Sequence, residues 1–175
     1  MNIKGKRVLI TGGSSGIGFA LAQALVAKGA SVVVSGRREA ALATAVAELG
    51  RTGAAVSSVA ADVSTPAGRD ATLKHAISAL GGLDILINNA GGVRAGRLEN
   101  TPEEELQAMI EVDLVAPILL TREALPALRQ SGDAMIVNVA SGIALIGAPF
   151  YATYAATKAG LARFGEALRR EIKGE

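Results

Sequence analysis

The sequence predicts an α/β fold: a doubly wound parallel sheet with helices on both faces. Three observations carry this. Short runs rich in Val and Ile recur at five places, continuous rather than alternating, as in strands buried on both faces. Helical patterns fall between them, and a β-α-β rhythm requires parallel strands joined by crossovers. The polar and glycine-rich residues follow the apolar runs directly, at the strand ends where such sheets carry their ligands.

The elements follow in order. The strands are predicted over residues 7–10, 31–35, 55–60, 84–88 and 134–140. The helices are predicted over 16–28, 39–49, 66–80, 102–129 and 151–173. Thr101-Pro102-Glu-Glu-Glu105 is a helix start, with a capping hydroxyl, a proline in the first turn and acids at the positive end. Pro117 and Pro126 are expected to bend or break the fourth helix. No repeat, low-complexity tract or linker interrupts the pattern, so residues 1–175 read as one domain.

Composition narrows the function. Half of the 175 residues are apolar, enough for one domain with a substantial core. Eighteen basic and sixteen acidic residues leave a net charge of +2, with no basic stretch that argues for nucleic acid. There is no cysteine, and the one histidine, His75, reads as a solvated surface residue, so no metal cluster is expected. The first residues hold no secretory apolar core and no run reaches the roughly 18 apolar residues of a membrane span. A soluble, cytoplasmic protein without a membrane partner is the expectation.

Two groups of residues carry chemistry. The first is the loop Thr11-Gly-Gly-Ser-Ser-Gly-Ile-Gly18, between a strand and a helix. In that context Gly12 allows a tight turn, Gly16 lets the backbone approach a pyrophosphate, and Gly18 permits close helix–strand packing. The helix N-terminus behind Ser14, Ser15 and Ile17 offers N–H groups to phosphates. The second group is Ser141 with Tyr154-x-x-x-Lys158. Residues four apart on a helix point the same way, and a serine ending the fifth strand can close on them. The three make a proton donor, a cation that tunes it and a hydroxyl for a carbonyl oxygen. Taken singly, they are equally a packed tyrosine, a solvated lysine and a turn cap.

With Asp62 and Asn88-Asn89-Ala90-Gly91 after the third and fourth strands, these motifs resemble the short-chain dehydrogenase/reductase family of the classical type, in order and along the whole chain. The resemblance implies a Rossmann-like sheet of order 3-2-1-4-5, without the last two strands of the family. It implies that Tyr154 is the acid in reduction and the base in oxidation. Lys158 would favour the phenolate and hold the nicotinamide ribose, and Ser141 would bond the substrate oxygen. Asp62 would accept from the adenine amino group beside the Val63 backbone, although it could instead cap the next helix, where Ser64 or Thr65 is better placed. Asn89, Ala90 and Gly91 would line the adenosine ribose, and Asn88 would tie the fourth strand to its neighbours.

Gly36 stands where the family's NAD enzymes carry an acid, and Arg37 and Arg38 follow. Two arginines suit a 2′-phosphate, so NADP(H) is expected rather than NAD. The sequence departs from the family at Asp113, where an asparagine supporting a water relay to the lysine is usual. Asp113 is kept as a relay member that accepts hydrogen bonds and stabilises a charged Lys158. The chain is also short for the family. Two further strands and the loop over the nicotinamide are expected after Lys173, so the chain reads as a C-terminally truncated form, whether fragment or natural.

The apolar segment 143–150 either walls a site for an apolar ketone or secondary alcohol or packs in the core. Apolar faces near 114–120 and 161–168 permit the homodimer or homotetramer that the resemblance implies, or else face only the sheet. The function expected is hydride transfer between NADP(H) and a carbonyl or alcohol; the alternative is a dinucleotide-binding remnant or sensor without turnover. A methyltransferase fits poorly, since it has no use for Tyr-x-x-x-Lys.

Overall fold

The computed structural model describes residues 2–173. Parallel strands β1 (Arg7–Thr11), β2 (Ser31–Gly36), β3 (Val56–Ala60), β4 (Ile85–Asn88) and β5 (Met135–Asn138) form one sheet of order β3-β2-β1-β4-β5. Helices α1 (Gly16–Ala27), α2 (Glu39–Leu49), α3 (Pro66–Leu80), α4 (Glu103–Ile110), α5 (Ala116–Arg129) and α6 (Ala152–Glu171) flank it. The predicted fold class and strand order are borne out.

Alternation along the strands divides the core in two. Val8, Ile10, Val32 and Val34 face Ala22 and Val26 of α1 and Leu42 and Leu49 of α2. Leu9, Val33 and Leu86 face Ala76 of α3 and Leu120, Ala124 and Leu128 of α5. Each fully buried Leu, Ile or Val stabilises the fold by roughly 1.5–3 kcal/mol. The register sets Val8 between Val32 and Ile85, and Ile10 between Val34 and Ile87. All five strands therefore present their C-terminal ends to one edge.

Five expectations are corrected. Strand β5 is shorter than predicted, covering Met135–Asn138. The break in the fourth helix falls before Pro117, as a π-helical turn over Glu111–Val115. Pro117 has no N–H for the carbonyl four residues back, and the wider turn admits its ring. Pro126 breaks nothing; it lies exposed inside α5, where water can serve the freed carbonyl. Thr101 does not cap α4, because its hydroxyl donates to the Arg97 carbonyl at 3.0 Å. His75 is half-buried, with Nε2 3.2 Å from Ser57 Oγ on β3.

At the opposite, N-terminal edge of the sheet, Asp84 gathers three elements, beside a Lys6–Asp133 pair at 2.9 Å. Asp84 Oδ2 accepts from the Arg7 backbone N–H at 2.8 Å and from Nε at 3.0 Å. Oδ1 accepts from Arg7 Nη2 at 2.7 Å and from Ser131 Oγ at 2.6 Å. Arg7 Nη1 reaches the Gly81 carbonyl at 2.8 Å. The start of β1, the turn before β4 and the end of α5 meet on this group. The hydrogen bonds from Arg7 hold the Asp84 carboxyl far below the usual carboxylate range, against the cost of burial. Its stabilisation is present above about pH 4, where an unfolded aspartate ionises, and is lost as pH falls toward the depressed folded value. Asp84→Asn is expected to cost about 1.5–3 kcal/mol in urea unfolding at pH 7. The gap to the parent should narrow progressively when the same measurement is made from pH 4 downward.

Candidate functional site

A cleft of about 730 Å³ opens along the C-terminal edge of the sheet, lined by the loops after β1, β2, β3 and β4 and by α4 with its π turn. The loop after β1 fits against the loop after β4 through a hydrogen-bond knot. Thr11 Oγ1 accepts from the backbone N–H groups of Asn89 and Ala90, each at 3.0 Å. Asn89 Nδ2 donates to the carbonyls of Thr11 at 2.9 Å and Gly12 at 3.1 Å. Gly12 turns with φ +66°, and a Cβ on Gly18 would run into the Gly12 carbonyl oxygen and the Asn89 amide. The glycines therefore let α1 begin almost in contact with the knot.

The α1 terminus faces the cleft with its donors unspent. Ser15 holds the cap position without a side-chain hydrogen bond, and the first turn carries no acid. Ser15, Gly16 and Ile17 are exposed, and a Cβ on Gly16 would meet open space. Ser14 and Gly12 line the cleft beside them.

The next two strands supply the residues expected at the adenosine end. Gly36, Arg37 and Arg38 line the cleft at the end of β2, both arginines exposed. Asp62 and Val63 line it at the end of β3. Asp62 Oδ1 accepts from the Ser64 N–H at 3.0 Å and from Ser64 Oγ at 2.7 Å. The cap of α3 is Thr65, which accepts from the Gly68 N–H at 3.0 Å. Buried Arg69 pins this loop, donating to the carbonyls of Val63 and Ser64 and pairing with Glu123 at 3.3 Å. Asn88 ties β4 inward, its Nδ2 donating to Thr121 Oγ1 at 3.0 Å and Asn138 Oδ1 at 2.9 Å.

The second group lies beyond Gly91. Ser141 caps a short 3₁₀ turn, Gly142–Ala144, that packs against α6; its Oγ accepts from the Ile143 N–H at 3.3 Å. On α6, the Lys158 ammonium lies 5.8 Å from the centre of the half-buried Tyr154 ring. Lys158 is buried, with Nζ 3.3 Å from the Val139 carbonyl and 3.1 Å from Asp113 Oδ1. Asp113 sits in the π turn with its side chain fully buried, and Oδ1 also accepts from the Gly92 N–H at 3.2 Å. Its Oδ2 is buried without a partner among the described residues. Burial pushes this carboxyl above its ordinary range, opposed by the Lys158 charge and by the hydrogen bonds from Lys158 and Gly92. A Cβ on Gly91 would collide with Asp113 Oδ1, so the glycine makes room for the pair. The Asp113–Lys158 link is a direct ion pair.

The donor set fits an anionic dinucleotide: an uncapped helix terminus for phosphates, a carboxylate at the adenosine end and two exposed cations beside it. Among the described residues no cluster of three metal-ligating side chains occurs, and no helix is long and apolar enough to cross a membrane. Sequence reasoning gave no role to Thr11 Oγ1, Arg69 or the Val139 carbonyl. Only Thr11 carried a signal, as the polar residue ending an apolar strand; a backbone acceptor such as Val139 carries none.

A parallel sheet with a glycine loop at its switch point, an uncapped helix terminus and a carboxylate beyond β3 defines a dinucleotide-binding α/β domain. The chain belongs to the short chain dehydrogenase family, whose family model matches residues 6–175. It is 38% identical over 163 residues to D-beta-hydroxybutyrate dehydrogenase of Cupriavidus necator, covering 93% of this chain and 63% of that protein. Among solved structures it resembles L-sorbose reductase from Gluconobacter frateurii, complexed with NADPH and L-sorbose. That match has a TM-score of 0.93 and 35% identity, over 98% of this chain and 66% of the other. It also resembles a short-chain dehydrogenase/reductase from Burkholderia phymatum in complex with NAD. There the TM-score is 0.95 at 30% identity, over 99% of this chain and 62% of the other. The chain thus spans somewhat under two-thirds of the length of these relatives.

The packing at the knot makes a prediction. Gly18→Ala is expected to lower stability by about 1–3 kcal/mol, because the clash is with backbone and cannot be relieved by a rotamer. Gly16→Ala meets only its positive φ of 55° and should cost about 1 kcal/mol or less. Chemical unfolding of the two variants against the parent measures the difference.

Proposed function

We propose that the chain is an oxidoreductase domain that takes NADP(H) and a ketone or secondary alcohol. The observation that carries this reading is the pairing on α6, where a buried Lys158 ammonium lies 5.8 Å from the Tyr154 ring beside the Ser141 turn. When bound, the nicotinamide would supply or accept the hydride. Tyr154 would give its proton to the carbonyl oxygen in reduction and take it back in oxidation. Ser141 Oγ would turn from its weak cap bond to donate to the same oxygen as charge develops there. Lys158 would hold the ribose and favour the phenolate.

The cofactor residues in this reading are Gly12, Ser14, Ser15, Gly16, Ile17 and Gly18 at the phosphates. Asp62, Val63, Asn89, Ala90 and Gly91 serve the adenosine half. Asn89 does so mainly by positioning, since its amide is occupied in the knot. NADP(H) is preferred because β2 ends in Gly36 with Arg37 and Arg38 exposed at the cleft, and a guanidinium pairs well with a 2′-phosphate.

An apolar substrate is supported by the segment between Ser141 and Tyr154, where Leu145 is 86% and Ile146 69% exposed. Those side chains are available to a ligand rather than packed in the core. A homodimer or homotetramer is proposed from family membership, since Leu120, Leu161 and Leu168 are buried within this chain. The reading without turnover is not favoured, because a binding module has no use for the Tyr154–Lys158 pair.

Tyr154→Phe is expected to lower NADPH-dependent reduction of apolar ketones by about 10²–10⁴-fold while leaving NADPH binding in place. Equal turnover by parent and variant would reject the assignment. Arg37→Ala is expected to weaken NADPH by about 10–100-fold in a fluorescence titration and to leave NADH affinity nearly unchanged.

A further inference from the structure

We infer that Asp113 is a positioning residue that holds Lys158 in place and compensates its charge, so that Tyr154 keeps its proton more firmly than beside an uncompensated cation. The geometry begins with the π turn over Glu111–Val115, which swings Asp113 inward at the level of Lys158 on α6. Both side chains are almost sealed from water, at 0% and 6% exposure, with Oδ1 and Nζ 3.1 Å apart. Gly91 is the only residue type that leaves space for the carboxylate, and the Gly92 N–H fixes its orientation. Oδ2 is buried without a partner among the described residues, and Lys158 is the cation paired with this carboxylate at Oδ1.

Other charges near this part of α6 are few. On α4, Glu103, Glu104 and Glu105 are exposed, and Glu105 pairs with Arg94. Glu111 in the π turn is half-buried and lines the cleft. On α5, Arg122 and Glu123 are exposed, as is Arg129 at its end, and Glu123 pairs with Arg69. On α6 itself, Glu166 pairs with Arg163 and Arg170, two and more turns beyond Tyr154. The strand β5 and the 3₁₀ turn that pack on α6 carry no charged side chain. Arg97, on the loop whose Gly96 N–H bonds to the Phe150 carbonyl, is exposed and pairs with Glu99, so among the described residues Lys158 and Asp113 are the buried charged pair beside the tyrosine.

An ammonium beside a phenol favours phenolate, and a carboxylate at hydrogen-bond distance from that ammonium cancels part of its field. A tyrosine that holds its proton is the donor needed to protonate a reduced carbonyl. The arrangement thus suits carbonyl reduction rather than alcohol oxidation at neutral pH, a consequence that rests on the proposed role of Tyr154.

The test needs neither cofactor nor substrate. The chain has two tyrosines and no tryptophan, so phenolate absorbance in Tyr151→Phe reports Tyr154 alone. Asp113→Asn keeps an amide oxygen for Lys158 Nζ and removes only the charge. Its absorbance midpoint in the Tyr151→Phe background is expected to fall by about half a pH unit or more. Should the asparagine variant not fold, as judged by circular dichroism, Asp113→Ser is read in the same way. An unchanged or raised midpoint would overturn the inference. A merely structural role for Asp113 would lower the unfolding temperature without moving the midpoint. Turnover that survives Tyr154→Phe would reject the acid–base reading and leave this titration result standing, so the two failures are distinguishable.

Discussion

The Thr11–Asn89 knot is the interaction on which the rest of the site depends. One hydroxyl accepts two backbone N–H groups and one amide donates to two carbonyls, all at the point where strand order reverses. Unpaired polar groups at the buried end of a sheet are costly, so the two loops are held together wherever the sheet is intact. The knot fixes where α1 may begin, and Gly12 and Gly18 let it begin close. It also fixes where the chain after β4 departs, and hence where Gly91 lies. The two ends of the cleft, at the α1 terminus and at Gly91, are set by one small cluster.

From Gly91 the constraint passes to the ion pair. A side chain there would displace Asp113, and without Asp113 the buried Lys158 would keep only the Val139 carbonyl as a hydrogen-bond partner among the described residues. Burying two opposite charges is favourable only when the geometry is good and other polar partners assist. Gly92 and Val139 supply that help from the ends of β4 and β5. The sheet edge, the π turn and α6 therefore position Lys158 beside Tyr154 together. The Arg7–Asp84 staple does comparable work at the far edge, so both ends of the central strands are clamped by charge while the middle is apolar.

Much of this was legible in the sequence. Apolar runs with glycine and polar residues after them gave the five strands and the cleft edge, because buried parallel strands tolerate few other compositions, and the family resemblance gave the strand order. The glycine positions gave the close approach at Gly18. The shape of the fourth helix was not legible. Pro117 signalled a disturbance, but the π turn lies upstream of it, where the chain had to admit the proline ring and aim Asp113 inward. Thr101 resembled a cap yet bonds backward to Arg97, since Pro102 leads directly into Glu103. The direct Asp113–Lys158 contact could not be read from spacing, because it joins residues 45 positions apart across two helices. His75 looked solvated because its partner, Ser57, is on a strand whose register the sequence did not reveal.

If the loops after β1, β2, β3 and β4 form one dinucleotide site organised by the knot, NADPH should protect all four together. Amide hydrogen exchange of the full chain with and without NADPH measures this. Slowed exchange is expected in residues 12–18, 36–38, 62–64 and 89–92 alone, with the Arg7–Asp84 edge unaffected. Protection elsewhere, or none at NADPH concentrations that saturate its family relatives, would refute a site of this kind.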